Sequence, residues 1–353
     1  DFCLSRGLGD VYKRQLFTPV SPPEEASAVM NGTPKDPNTN AGHAGPLHVL
    51  TRLPLDADWL AAVAPRYHVT PWAQADADLR ARARAVVTNG STGLSADELA
   101  TLPALQLVAS FGAGYEKIDL RAAQARQVRV CHAPDANGQV VADHALTLML
   151  ALARGIPALD RGVKAGGWEA LRAARPGLRG KTLGIVGLGN IGHRLARLGA
   201  AVGMQVAYLW HEGTQGGEGY APHGDAVSLA AASDVLALTC PGGPQTHHLV
   251  NARVLQALGP TGFLVNVSRG TVVDTDALID ALARGVIAGA ALDVLETEPV
   301  VPQALRTMDQ VILTPHLAGR SPETRIAQHA ALASNLDGWF ERGAPAHPVR
   351  LPA

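Results

Sequence analysis

Four residues in the second half of the chain carry side chains suited to carbonyl and acid–base chemistry, and each follows an apolar run. They are Arg269 in Val265-Asn-Val-Ser-Arg-Gly270, Asp293 and Glu298 in Ala291-Leu-Asp-Val-Leu-Glu-Thr-Glu-Pro299, and His316 in Leu313-Thr-Pro-His-Leu-Ala318. A histidine, ionising near neutral pH, can deliver a proton to a carbonyl oxygen, and a carboxylate beside it favours the charged imidazole and fixes its orientation. A guanidinium can hold a planar carboxylate through two parallel hydrogen bonds, which a lysine does less well. Taken singly, each also has a structural reading: Arg269 as a helix-end charge, Glu298 as a loop carboxylate, His316 as a turn residue.

Upstream, Lys181-Thr-Leu-Gly-Ile-Val-Gly-Leu-Gly-Asn-Ile-Gly192 runs an apolar strand into a Gly-x-Gly-x-x-Gly turn and then a helix. Gly187 allows the tight turn, Gly189 lets the backbone approach a pyrophosphate, and Gly192 lets the helix pack close to its strand. Ile191, Leu195, Leu198 and Val202 continue at helical spacing. The segment is expected to bind a dinucleotide. In open parallel sheets ligands bind beyond the carboxyl ends of the strands, where Arg269, Asp293, Glu298 and His316 fall.

The elements that must position these groups alternate short apolar runs with helical stretches. Leu47 to Leu50, Ala85 to Thr88, Leu107 to Ser110 and Val128 to Cys131 read as strands buried on both faces. After Gly180 the rhythm restarts with Leu183 to Val186, Val206 to Trp210, Val235 to Thr239, Phe263 to Val267, Ala288 to Leu292 and Val311 to Leu313. An apolar helix over Asp143 to Ala153 is expected to bridge the two units. A last helix, Pro322 to Trp339, with Ile326, Ala330, Ala333 and Leu336 as its apolar positions, is expected to cross back onto the first unit.

The expected class is therefore α/β, with two doubly wound parallel-sheet, Rossmann-like domains. The first, flavodoxin-like and discontinuous, is the substrate domain over 46–145 and 317–345, and the second is the dinucleotide domain over 146–316. Residues 1–45 are expected to be a disordered or artefactual tail: there is no initiator Met, Gly7 to Gln15 resembles translated adapter sequence, and Met30 is the expected start.

At 353 residues with a formal charge of −1, the chain gives no electrostatic reason to expect nucleic acid or an anionic membrane as partner. Ala145 to Ala153 falls well short of the ~20 residues that a membrane span needs. Three cysteines, Cys3, Cys131 and Cys240, show no Cys-x-x-Cys pair, which fits a reduced, cytoplasmic setting. His247-His248 is expected to bind no metal, because adjacent residues point different ways on a regular element.

The glycine turn, Ser-Arg-Gly, Leu-Asp-Val-x-x-x-Glu-Pro and Thr-Pro-His, in this order, resemble the D-isomer-specific 2-hydroxyacid dehydrogenase family over about Leu47 to Arg342. The resemblance implies that Arg269 binds the substrate carboxylate, His316 is the acid/base and Glu298 its partner. It further implies substrate contacts from Asn89, Gly90, Gly112, Ala113 and Gly114. Cofactor contacts are implied for Gly187, Leu188, Gly189, Asn190, Ile191, Gly192, Trp210, His211, Cys240, Pro241, Thr246, Val267 and Asp293, the last near the nicotinamide. A homodimer and closure between two domains, with hinges near Leu146 and Leu317, are implied as well.

The second strand of the glycine-turn unit ends at Trp210 and His211, where NAD-binding enzymes usually carry an acidic residue; this favours NADP, with NAD possible. The overall look is most similar to bacterial hydroxypyruvate/glyoxylate reductases, so the expected substrate is a small 2-keto acid. Formate dehydrogenases of the group carry Gln in place of Glu298. Two alternatives stay open: a dinucleotide-sensing corepressor-like protein with little turnover, and a D-3-phosphoglycerate dehydrogenase. Trp168 is expected to be a buried aromatic.

Overall fold

The computed structural model describes residues 45–350. The expected tail therefore lies, apart from Gly45, outside the described residues. Two all-parallel sheets carry the fold. The first contains β1 (Leu47–Thr51), β2 (Tyr67–Pro71), β3 (Ala85–Thr88), β4 (Leu107–Ser110) and β5 (Arg129–Cys131), in the order β2-β1-β3-β4-β5. The second contains β6 (Thr182–Val186), β7 (Gln205–Leu209), β8 (Ala221–His223), β9 (Val235–Leu238), β10 (Phe263–Asn266), β11 (Gly289–Leu292) and β12 (Val311–Leu313), in the order β12-β11-β10-β9-β6-β7-β8. In each sheet the chain first builds outward to one side and then reverses, leaving a crevice between β1 and β3 and another between β6 and β9.

The apolar runs mark every central strand, because strands covered on both faces read as unbroken hydrophobic stretches, and they mark the edge strands β5 and β12 as well. β3, β4 and β9 are buried throughout. The two strands without such a run, β2 and β8, are edges. Both are largely exposed and contain a proline, which an edge strand tolerates because only one side of its ladder needs donors. Trp210 lies just past β7 rather than inside it.

Helix α1 (Gly138–Arg154) lies across the second sheet, burying Val141, Ala142, Ala145, Leu148, Met149 and Leu152 against Leu183, Ile185, Leu195 and Val265. The helix runs unbroken through 145 and 146, where the sequence places both a domain boundary and a hinge, and Val141 and Ala142 already belong to the second sheet's core. One face of the Ala145 to Ala153 stretch is thus core, while Thr147 and Leu150 face outward. Among the described residues, no single helix is long and apolar enough to cross a membrane.

After helix α2 (Asn190–Ala201), which follows β6, the last long helix is α3 (Pro322–Arg342). It packs on the first sheet: Leu332, Leu336 and Phe340 share a core with Leu47, Val49, Ala85, Val87, Leu107 and Ala109. Its buried face differs from the stripe read off the sequence. Ile326 and Ala330 are exposed, while Thr324, His329 and Asn335 are buried with Leu332 and Leu336. Hydrogen bonds make burial of the polar residues possible: Asn335 Nδ2 donates to the His132 carbonyl at 2.9 Å and its Oδ1 accepts from His347 N at 2.8 Å. His329 Nδ1 lies 3.0 Å from the Arg325 carbonyl oxygen and its Nε2 accepts from Asp56 N at 3.4 Å, while Trp59 Nε1 donates to the His329 carbonyl; burial pushes the imidazole below its ordinary value against the opposing pull of Asp56.

Leu336→Ala, at the centre of this docking face, is expected to cost about 2–5 kcal/mol, and Ile326→Ala on the exposed face about 0.5 kcal/mol or less. Urea unfolding midpoints of the two variants check both values.

Candidate active site

The glycine turn occupies the crevice of the second sheet, between β6 and β9. Gly187 has φ +99°, and a Cβ there would lie 2.6 Å from both Cys240 Cα and N. A Cβ on Gly192 would collide with the Gly187 carbonyl oxygen, so α2 can start this close to its strand only with glycine. Thr239 Oγ1 donates to the same carbonyl at 2.7 Å. Gly189 differs from both: a Cβ there would meet nothing within 4 Å, so its backbone faces open space at the N-terminus of α2. That arrangement fits a dinucleotide pyrophosphate, approached by bare backbone and by the positive end of a helix.

Around the turn, Leu188, Cys240 and Val267 are buried, and Ile191 packs against the core. Burial pushes the Cys240 thiol up to about 11. Pro241 is tied to Thr246, whose hydroxyl donates to the Pro241 carbonyl at 2.8 Å. Asn190 Nδ2 donates to Asp135 Oδ1 at 2.5 Å. Trp210 is 51% exposed at the end of β7. The next residues form a tight turn: His211 N donates to Thr214 Oγ1 at 3.1 Å, and His211 Nδ1 lies 2.8 Å from the Glu212 carbonyl oxygen.

Three neighbouring strands, β10, β11 and β12, deliver Arg269, Asp293 and His316 at the same end of the sheet. Arg269 follows β10 in a loop shaped by buried Asn266, whose Oδ1 accepts from Ser268 N and Oγ at 2.9 and 2.8 Å and whose Nδ2 donates to the Arg269 carbonyl at 3.0 Å. A Cβ on Gly270 would overlap the Leu295–Glu296 backbone, so this loop packs directly on the one that carries Glu298. His316 Nδ1 lies 2.9 Å from Glu298 Oε2, and Glu298 Oε1 accepts from Leu295 N at 2.9 Å.

Asp293, expected beside the nicotinamide, is 2% exposed and its carboxylate is committed elsewhere. Oδ1 accepts from Thr314 Oγ1 at 2.6 Å and Leu317 N at 2.9 Å, and Oδ2 accepts from Ala318 N at 3.0 Å. The Asp293 carbonyl accepts from His316 N at 2.8 Å. The aspartate thus clamps the Thr314–Ala318 loop, including His316 in a left-handed backbone with φ 52°. His144, from α1, joins the clamp, its Nε2 3.2 Å from Thr314 Oγ1.

The loops of the first sheet meet this group. Asn89 Oδ1 accepts from Ser91 N, Ser91 Oγ and Thr92 N, which closes the turn containing Gly90. Ser110 Oγ donates to the Gly114 carbonyl, and His132 Nδ1 lies 2.9 Å from that of Ala113, bracing the Gly112–Gly114 segment. A Cβ on Gly114 would lie 2.6 Å from Arg269 Nη2, so the arginine reaches the glycine loop across the crevice. Glu116, unassigned from sequence, pairs with Arg269 there, as do His144, Asn266 and Thr314 with their partners above. Asn266 and Thr314 lie within the motifs quoted above, but only tertiary contact reveals the partners of all four.

Three further observations revise the sequence reading. The His247 and His248 rings do not point apart: they stack at 4.0 Å and 30°, with His248 at φ 49°. His248 Nε2 lies 2.8 Å from Glu296 Oε1, and this contact holds the Glu296 carboxyl below its ordinary range. One potential ligand atom each from His247, His248 and Glu296 lies within 4.8 Å of the others, so the divergence on which the no-metal expectation rested is not present. Trp168, expected to be buried, is 63% exposed.

A doubly wound sheet with a glycine turn in its crevice, and with arginine, histidine and glutamate beyond its strand ends, defines a dinucleotide-dependent oxidoreductase. Residues 146–318 match the family described as D-isomer specific 2-hydroxyacid dehydrogenase, NAD binding domain. Hydroxyphenylpyruvate reductase of Plectranthus scutellarioides is 38% identical over 258 residues, 73% of this chain and 82% of that protein. Glyoxylate/hydroxypyruvate reductase A of Arabidopsis thaliana is 39% identical over 267 residues, 75% of this chain and 85% of the relative. Among solved structures, the NADPH-dependent glyoxylate/hydroxypyruvate reductase of Sinorhizobium meliloti, in complex with NADP and malonate, superposes with a TM-score of 0.78 at 37% identity, covering 86% of this chain and 96% of that one. The chain belongs to the D-isomer specific 2-hydroxyacid dehydrogenase family and is an NAD(P)-dependent enzyme that acts on 2-hydroxy or 2-keto acids.

The two glycines separate stability from binding. Gly192→Ala is expected to destabilise the fold by about 1–3 kcal/mol through backbone overlap. Gly189→Ala leaves the urea midpoint nearly unchanged and weakens NADP(H) binding, measured by quenching of intrinsic fluorescence.

Proposed function

We propose that the protein reduces a small 2-keto acid, hydroxypyruvate or glyoxylate, to the D-2-hydroxy acid, with NADP(H) preferred over NAD(H). The observation that carries this reading is the His316–Glu298 pair beyond β12, set on the same sheet end as Arg269. When bound, the dinucleotide supplies the hydride to the carbonyl carbon. With Nδ1 on Glu298, His316 holds its transferable proton on Nε2, and that proton goes to the substrate's carbonyl oxygen. Glu298 fixes the ring plane and tautomer of His316. Arg269 binds the substrate carboxylate together with backbone amides of the Asn89–Gly90 and Gly112–Gly114 loops. Asp293 acts on the loop that carries His316, not on substrate.

The cofactor preference is supported by the β7 end: Leu209, Trp210 and His211 put no carboxylate at the position that usually holds a ribose 2′-hydroxyl, although Glu212 follows in the turn and would repel a 2′-phosphate if turned inward. The Sinorhizobium relative named above is NADPH-dependent by its own description. Assembly as a homodimer is supported by an apolar surface: Leu150, Ile156, Val163 and Trp168 are all exposed on α1 and the helix and turn that follow it.

The test is the initial rate of NADPH and NADH oxidation with glyoxylate and with hydroxypyruvate. Faster turnover with NADPH is expected, with His316→Ala lowering kcat by about 10²–10⁴-fold and Arg269→Ala raising KM by about 10–100-fold. Absence of turnover with either cofactor on both acids would sink the reading.

A further inference from the structure

Arg269 is not a free guanidinium awaiting a ligand. Its Nη2 lies 2.5 Å from Glu116 Oε1, and its Nη1 donates to the Ser268 carbonyl at 2.7 Å. Glu116 comes from the loop after β4, so the pair spans the crevice between the two sheets. Its carboxylate rests on the two glycine loops: a Cβ on Gly90 would lie 2.5 Å from Glu116 Oε2, and one on Gly114 2.6 Å from the same oxygen. Both side chains are about one-third exposed, at 35% for Arg269 and 34% for Glu116, so water and small solutes reach them. A carboxylate therefore sits against Arg269 and over Gly90 and Gly114.

We propose that Glu116 is a built-in stand-in for the substrate carboxylate, holding Arg269 until a 2-keto acid displaces it, and that it thereby sets substrate affinity. This rests on the reading of Arg269 and the glycine loops as the substrate's anchor. The chemistry of the exchange is one of charge alone. Arg269 carries one positive charge, which Glu116 neutralises; an entering keto acid brings a second carboxylate to the same guanidinium. It must take Nη2 from Glu116 and face the displaced carboxylate across a few ångströms, a repulsion that weakens binding. A mere structural prop would act in the opposite direction: removing it would loosen Arg269 and raise KM.

The decisive comparison uses the full chain with saturating NADPH, reading kcat and KM for glyoxylate and the dissociation constant of oxamate, a non-reacting analogue of a 2-keto acid. Glu116→Gln and Glu116→Ala are both expected to lower KM and the oxamate constant by about three- to tenfold, at or somewhat above the scale of an exposed ion pair, without raising kcat. Glu116→Asp, its carboxylate drawn back by one methylene, falls between them and wild type. An unchanged or increased KM in Gln and Ala variants that melt like wild type overturns the proposal alone. If oxamate binds wild type and Arg269→Ala equally well, the anchor reading itself fails, and the proposal fails with it.

Discussion

The Asp293 carboxylate is the interaction on which the candidate site depends. It is nearly free of solvent, and such a charge is tolerated only when hydrogen bonds replace its water. Here they come from Thr314, Leu317 and Ala318, all downstream of the adjacent strand. Each donor fixes part of one loop, so the penalty of burying the charge is offset by closing a single backbone path. That path holds His316 in a left-handed conformation which non-glycine residues adopt rarely, and which places its ring against Glu298. Loss of the carboxylate would release the loop, and the His316–Glu298 pair would lose its geometry even with both members present.

How much of this was legible in the sequence follows from the range of the forces involved. Apolar runs marked the inner strands because burial on both faces demands them, and the glycine turn was legible because each glycine answers a local backbone need. β2 and β8 lack that demand and carry no signal. The face of α3 was misread because His329 and Asn335 are buried through hydrogen bonds to distant segments, which periodicity cannot register. Arg269, Glu298 and His316 stood out by motif, whereas the Arg269–Glu116 pair joins residues 153 positions apart. Asp293 shows the difference most clearly: its motif was visible, but its use was not, since a carboxylate for a ligand and a carboxylate for a loop look alike in one dimension.

The two sheets share the work unequally. The second supplies the His316–Glu298 pair, Arg269 and the crevice that holds the glycine turn, all on strand ends fixed by a packed core. The first supplies chiefly bare backbone, with Gly90, Gly112 and Gly114 braced by Asn89, Ser110 and His132. Rigid side-chain chemistry on one wall and adaptable main-chain donors on the other suit a family whose members share a reaction centre and differ in substrate.

The two cysteines among the described residues give the protein a further property. Cys131 and Cys240 are buried and desolvated, which pushes both thiols up. The thiolate is the form that peroxides and electrophiles attack, and burial disfavours it at both sites, including Cys240 beside the glycine turn. In a variant with Cys3 replaced, a cysteine introduced at the surface would be the preferred target of a maleimide dye, making these two buried residues a quiet background against which crevice closure can be followed by fluorescence.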